Sequence, residues 1–193
     1  MQDDGTLYVA AVDAELGDLR ARGRDAVPLG VGMLAAGVRM AEVLAGRCGR
    51  LPARVVLLGT AGAYPDAAGA PLHPLGSVVT ATRVRLASAS AATGRGYVPL
   101  PPDAVECVPV EGVVAAVVAC CTAITTDPAA ARALGELANV EHMELFGVAH
   151  ACARVGVPVT AVLGITNVVG PEAHAQWKAH RAQAEAAARA AVG

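Results

Sequence analysis

The sequence predicts an α/β fold: a single-domain three-layer sandwich with a mixed, mostly parallel central sheet, spanning residues 1–193. Three observations predict it. Apolar runs of strand length alternate along the chain with stretches of helical spacing, an order that places helices on both faces of a sheet. The runs are continuous rather than alternating in polarity, as in strands covered on both faces. Hydrophobic residues make up 54% of the chain but aromatics only 3%, so the core must be packed with small aliphatics, which Val-rich strands supply.

The elements follow in order. Leu7 to Val12 is an apolar run followed by charged residues at helical spacing, hence strand then helix. Ala26 to Val31 is a second strand, interrupted by Gly30 and Gly32. Met33 to Cys48 carries apolar residues at helical intervals and stops near Gly49. Arg54 to Leu58 is a buried strand that runs into a loop, Gly59-Thr60-Ala61-Gly62. Pro65, Gly69, Pro71 and Pro74 make 64–76 a loop, and Ser77 to Leu86 is the next strand. Ala87 to Pro102, rich in Ser, Gly and Pro, reads as another loop. Glu111 to Thr126 has β character, and Asp127-Pro128 opens a helix with Asp as N-cap and Pro at the first position. A brief strand at Asn139–His142, a helix from Glu144 to Val155, a strand from Val157 to Thr166 and an Ala-rich helix from Glu172 complete the chain.

Composition excludes several classes of function. The most apolar stretch, Val113 to Cys121, falls well short of the ~20 residues that span a bilayer. Gln2, Asp3 and Asp4 are not the basic opening of a signal peptide, so a soluble, cytoplasmic protein without membrane partners is expected. Net charge is −2 with both signs scattered, which gives nucleic acid no basic stripe to bind. The five cysteines, Cys48, Cys107, Cys120, Cys121 and Cys152, form no CxxC pair and lie in or beside apolar segments. They are expected to be small buried hydrophobes. No histidines have metal-ligand spacing, so neither a metal nor a cofactor is expected.

In sheets of this kind ligands bind beyond the carboxyl ends of the strands. Four polar candidates fall there: Glu15, Thr60, Glu144 and Asn167. Glu144 stands at a strand-to-helix junction, where it could accept hydrogen bonds from two adjacent hydroxyls or simply favour the helix dipole. Glu15 could act as a general base on water if partly desolvated, or be an exposed helix residue. The glycines around Thr60 and Ala61 would let backbone amides approach a ligand. Asn167 could cap a turn. Trp177 is expected to pack the last helix rather than touch a ligand.

Taken in order, Val9–Leu16, Gly30–Ala36, Leu57–Ala63 and Val140–Gly170 resemble the purine nucleoside phosphorylase and nucleosidase superfamily, with particular likeness to methylthioadenosine/S-adenosylhomocysteine nucleosidases and futalosine hydrolases. Met143-Glu144, Gly156-Val157-Pro158 and Gly164-Ile165-Thr166-Asn167 are the most specific segments. The tail Asn167-Val168-Val169-Gly170-Pro171 with Trp177 looks like the futalosine hydrolase version. The resemblance implies a nucleoside phosphorylase-like fold and a hydrolase that cuts the N-glycosidic bond of a purine nucleoside. By that likeness Glu15 activates the attacking water, Glu144 grips the ribose hydroxyls and Met143 packs against the sugar. Thr60, Ala61 and Gly62 form the small-residue loop at the substrate. Asn167 falls where adenine-specific relatives carry an aspartate that protonates purine N7. An amide complements a 6-oxopurine, giving N–H to O6 and accepting from N7–H. That favours futalosine, cleaved to hypoxanthine and the dehypoxanthine product in menaquinone biosynthesis.

Related phosphorylases hold phosphate with an arginine just before the Gly-Thr loop, where this chain has Leu57 and Leu58. Water is therefore the expected nucleophile. The alternatives are a phosphate-dependent phosphorylase and a degenerate, non-catalytic nucleoside-binding relative. The likeness and the abundant Ala/Val surface also imply a homodimer or higher homo-oligomer.

Overall fold

The structure, a computed structural model, describes residues 5–99 and 104–193. The acidic start at Gln2–Asp4 and the last residues of the loop expected over 87–102 lie outside them. The strands are β1 (Thr6–Ala10), β2 (Asp25–Pro28), β3 (Arg54–Ala63), β4 (Val78–Leu86), β5 (Ala104–Glu106), β6 (Val114–Cys120), β7 (Val140–His142) and β8 (Val159–Val168). The helices are α1 (Asp13–Leu16), α2 (Met33–Ala45), α3 (Ala89–Ala92), α4 (Pro128–Gly135), α5 (Leu145–Ala153) and α6 (Ala173–Ala190). No helix among the described residues is long and apolar enough to cross a membrane.

The mixed, mostly parallel sheet is present. β1–β2, β1–β3, β3–β8, β4–β6 and β6–β7 pair parallel, and β3–β7, β4–β8 and β4–β5 antiparallel. The expectation of a plain three-layer sandwich needs correction, because the sheet closes on itself. β3, β8, β4, β6 and β7 form a ring, from which β1 and β2 extend on one side and β5 on the other. Closure follows from the length of two strands. The first half of β3 pairs β1, and the same edge meets β7 at Gly62 and Ala63. β4 likewise pairs β8 through Val78–Thr80 and β5 further on. Register shifts at Ala61/Gly62 and Ala81/Arg83 bend both strands where they change partners.

Small side chains set the packing. β3 and β8, buried almost throughout, carry the largest core, which α2 and α5 cover. α1 and α6 close the opposite side over Tyr8, Leu16, Val56 and Leu58. α2 and α5 cross with Gly37 against Gly147, and a Cβ on Gly147 would collide with the Met33 carbonyl oxygen. α6 presses as closely on β8, since a Cβ on Gly164 would strike the Ala184 carbonyl. Asp127 caps α4 as the sequence predicts, accepting from the Ala129 amide at 3.0 Å. Four cysteines are buried and unpaired, while Cys48 is exposed on a turn with φ +49°. Burial pushes the buried thiols up to about 12, which leaves them inert.

Two elements escaped the sequence pattern. β5 is three residues long and α3 four, too short to establish a period. The Gly59–Gly62 loop is instead the second half of β3.

Candidate functional site

A cavity of about 320 Å³ opens at the carboxyl ends of β1, β3, β7 and β8. Glu15, Thr60, Ala61, Gly62, Met143, Glu144 and Asn167 all line it. Residues separated by more than 150 positions in sequence thus share one wall, because their strands are neighbours and end at one rim.

Glu15 sits in the four-residue α1 directly after β1. Its side chain turns back to accept a hydrogen bond from the Val12 amide at 3.2 Å. Burial raises its carboxyl from the ordinary 4.5 to about 7, with the nearby charge of Glu144 adding to the shift and the Val12 bond opposing it. A carboxylate tuned this way exchanges a proton readily near neutral pH. The Arg189 guanidinium fixes the segment from behind, donating to the Ala14 and Glu15 carbonyls at 3.2 and 3.1 Å.

Glu144 is buried at the N-cap of α5, yet it does not cap that helix. Its Oε1 accepts from the Gly32 amide at 2.7 Å, at the N-terminus of α2. Gly30-Val31-Gly32 is therefore more than a strand end, and Gly32 at φ +92° takes a conformation that suits only glycine. The other oxygen, Oε2, lies 3.4 Å from His142 Nδ1. This contact is not an ion pair. The Glu144 and Leu145 amides both donate to Nδ1 at 3.1 Å, so that nitrogen carries a lone pair. Burial lowers the pKa of His142 further, and the ring is neutral.

The glycines around Thr60 also make room for side chains. A Cβ on Gly59 would lie 3.0 Å from His142 Nε2 and 3.6 Å from Glu15 Oε1, and one on Gly62 would lie 2.6 Å from Asn167 Nδ2. β3 thus works as a floor with Glu15 above one end and Asn167 above the other, three residues or about 10 Å along the strand. Asn167 is buried; its Oδ1 accepts from the Thr166 hydroxyl at 2.8 Å and its Nδ2 donates to the Val168 carbonyl at 3.2 Å. One N–H and one lone pair remain for a ligand.

Two features of the site escaped sequence reasoning. Trp177 belongs to the cavity wall and not merely to helix packing, since its Nε1 donates to Thr60 Oγ1 at 3.2 Å. The helical spacing of His174, Trp177 and Arg181, all three lining the cavity, could have signalled it. Glu141 also borders the cavity, held by three hydrogen bonds, accepting from the Thr125 amide and hydroxyl and from the Tyr64 hydroxyl. Among the described residues no group of three or more His, Cys, Asp or Glu converges as a metal site would require.

No family model matches the sequence. A futalosine hydrolase of Streptomyces coelicolor is 34% identical over 179 aligned residues, covering 79% of this chain and 73% of that protein. The fold matches a 5′-methylthioadenosine/S-adenosylhomocysteine nucleosidase from Neisseria meningitidis, solved with methylthio-immucillin-A, at a TM-score of 0.77 and 16% identity over 97% of this chain and 96% of the other. It also matches a futalosine hydrolase mutant of Helicobacter pylori at a TM-score of 0.76 and 14% identity, covering 95% of each chain.

Proposed function

Because this chain belongs to the nucleoside phosphorylase/nucleosidase superfamily, among its N-glycosyl hydrolases, we propose that it hydrolyses a purine nucleoside bearing hypoxanthine, futalosine being the substrate best supported. One observation carries the reading: Glu15, Glu144 and Asn167 line a single cavity of nucleoside size.

The roles follow from the chemistry. Water attacks the anomeric carbon, the bond from that carbon to base nitrogen breaks, and its electron pair leaves with the base. Glu15, ionised in the active form, takes the proton of the attacking water. Glu144 accepts hydrogen bonds from the ribose hydroxyls, and these tighten as the sugar becomes cationic. Met143 packs against the sugar face, beside Thr60, Ala61 and Gly62. The free N–H of Asn167 serves O6 and its free lone pair serves a protonated N7. An amide has no proton to release, so the proton on the base comes from water.

The wider reading is of one nucleosidase domain over residues 1–193, working in the cytoplasm on a step of menaquinone biosynthesis. A homodimer would cover Leu34 and Val38, exposed one turn apart on α2, and Val31 at the cavity mouth. The test is incubation with futalosine, inosine and methylthioadenosine in phosphate-free buffer. Hypoxanthine release in large excess over adenine is the expected result. Absence of free base from all of them defeats the proposal, and strict dependence on added phosphate replaces hydrolysis with phosphorolysis.

A further inference from the structure

The two nitrogens of the His142 ring have unlike surroundings. Nδ1 accepts from the Glu144 and Leu145 amides at 3.1 Å, so the hydrogen of the neutral ring sits on Nε2. Nε2 meets no hydrogen-bond partner among the described residues, although the side chain is only 5% exposed and borders the cavity. A buried N–H without an acceptor is costly, and one that faces a cavity is available to a ligand. Glu15 turns toward the same place. Its Oε2 takes the Val12 amide, while its Oε1 and His142 Nε2 flank one point above Gly59, at 3.6 and 3.0 Å from where a Cβ would stand. No hydrogen bond joins the two atoms directly, and the glycine keeps the space beside them open. Leu163 Cδ2, also 3.6 Å from that point, closes a third side with carbon.

Resting on the reading of the chain as a nucleosidase with Glu15 as its base, we propose that His142 positions the attacking water. Its Nε2–H donates to the water oxygen while Glu15 Oε1 accepts one of the water hydrogens, which leaves the second lone pair of that oxygen for the anomeric carbon. As the carbon–oxygen bond forms, the bond to the base nitrogen breaks and its electron pair leaves with the base. The water proton passes to Glu15, and His142 keeps its own hydrogen throughout. Two features suit the ring to this place. The amides aimed at Nδ1 oppose a second proton there, so the donor brings no positive charge toward a sugar that becomes cationic. Those amides also belong to the start of α5, so the ring is fixed against the segment that carries Glu144. The same arrangement selects the nucleophile. The ring stands between Glu15 and Glu144, with Nδ1 3.4 Å from Glu144 Oε2, and an anion there would meet two carboxylates whereas water meets a neutral donor and an acceptor.

The test uses the whole protein with futalosine and inosine in phosphate-free buffer, and two substitutions that each keep one half of the ring. In His142→Asn the amide oxygen replaces Nδ1 as the acceptor for the two backbone amides, and the donor at Nε2 is lost. In His142→Gln the longer amide carries an N–H to the Nε2 position. His142→Asn is expected to lower kcat by on the order of 10²-fold, the scale of a misplaced reactant, with KM and melting temperature near those of the wild type. His142→Gln should recover part of that loss even where it melts lower, a rescue that a purely structural role does not give. Binding of 9-deazainosine, whose carbon–carbon link to the base resists cleavage, should be alike in all three proteins, because the ring touches water and not the nucleoside. Equal turnover by His142→Asn and the wild type overturns the role and leaves the nucleosidase reading intact. Binding of 9-deazainosine that weakens in step with kcat overturns it too, by assigning the ring to the sugar. Should His142→Asn fail to fold, His142→Gln decides alone: retained turnover supports the role, and abolished turnover at unchanged 9-deazainosine binding overturns it. If the wild type releases no base from either substrate, or only with added phosphate, the hydrolytic reading falls and the role with it.

Discussion

Glu141 and Glu144 lie three residues apart, both buried and both on the border of one cavity, yet they belong to different regions. Glu141 faces a closed polar knot. Thr125 supplies its amide at 2.9 Å and its hydroxyl at 2.5 Å, and Tyr64 its hydroxyl at 3.1 Å. Glu144 faces the open rim with one strong donor, the Gly32 amide, and a neutral histidine that donates nothing to it from Nδ1. The difference separates structural from ligand-directed burial. A buried carboxylate whose lone pairs are occupied ties strands and loops together, whereas one left short of donors has capacity for a ligand's hydroxyls.

That contrast can be broken experimentally. The largest effects are expected at the rim. Glu15→Gln should lower kcat by about 10²- to 10⁴-fold, the usual contribution of a positioned base. In the wild type, kcat/KM should rise with pH through about 7, as Glu15 ionises. The same group makes a stability prediction of definite sign. Its folded pKa of about 7 exceeds the ordinary 4.5, so the fold favours the protonated form. That stabilisation is fully present below pH 4.5 and lost as the pH climbs through 7. Glutamine has no such loss, so Glu15→Gln should melt higher than the wild type at pH 8 and equally at pH 4. A variant that melts lower at pH 8 would contradict the desolvation of Glu15.

Glu144→Ala should reduce kcat by on the order of 10²-fold or more, through lost transition-state contacts, with little change in melting temperature. Glu141→Gln should reverse that pattern. It leaves hydroxyl donors facing an amide nitrogen, and should cost roughly 1–3 kcal/mol in denaturant unfolding, with turnover in the surviving folded fraction much less affected. If both variants act alike on kcat, the distinction between knot and rim is wrong.

Smaller effects sharpen the picture. Asn167→Asp supplies a proton donor when protonated, and should raise the ratio of adenine to hypoxanthine release by about tenfold, the scale of one hydrogen bond. Gly147→Ala drives α2 and α5 apart where they touch and should cost about 1–3 kcal/mol. Because Gly32 heads α2, a measurable rise in KM should accompany it. Thiol labelling of the folded protein should modify Cys48 alone, since the other described cysteines are buried.

Most elements were legible because their residues report their own environment. The continuous apolar runs of β3 and β8, the Asp127-Pro128 start of α4 and the glycine after α5 are local signals. The two carboxylates and the amide could be singled out because each follows a strand. The Gly-Thr-Ala-Gly stretch misled, since glycine reads locally as a loop signal. In β3 it is a strand residue whose missing side chain leaves space for Glu15, His142 and Asn167. Trp177 misled for a related reason: the helical period says which residues share a face, but not what that face meets.

Residue order alone was enough to specify the alternation of strands and helices, the apolar core and the rim at which polar side chains gather, because those depend on short-range periodicity and on which residues avoid water. Closure of the sheet, the Gly32 grip on Glu144, the raised pKa of Glu15 and the contact of Trp177 with Thr60 arose only on folding. Each depends on the distance between groups far apart in the chain, and on how much water the surrounding atoms exclude.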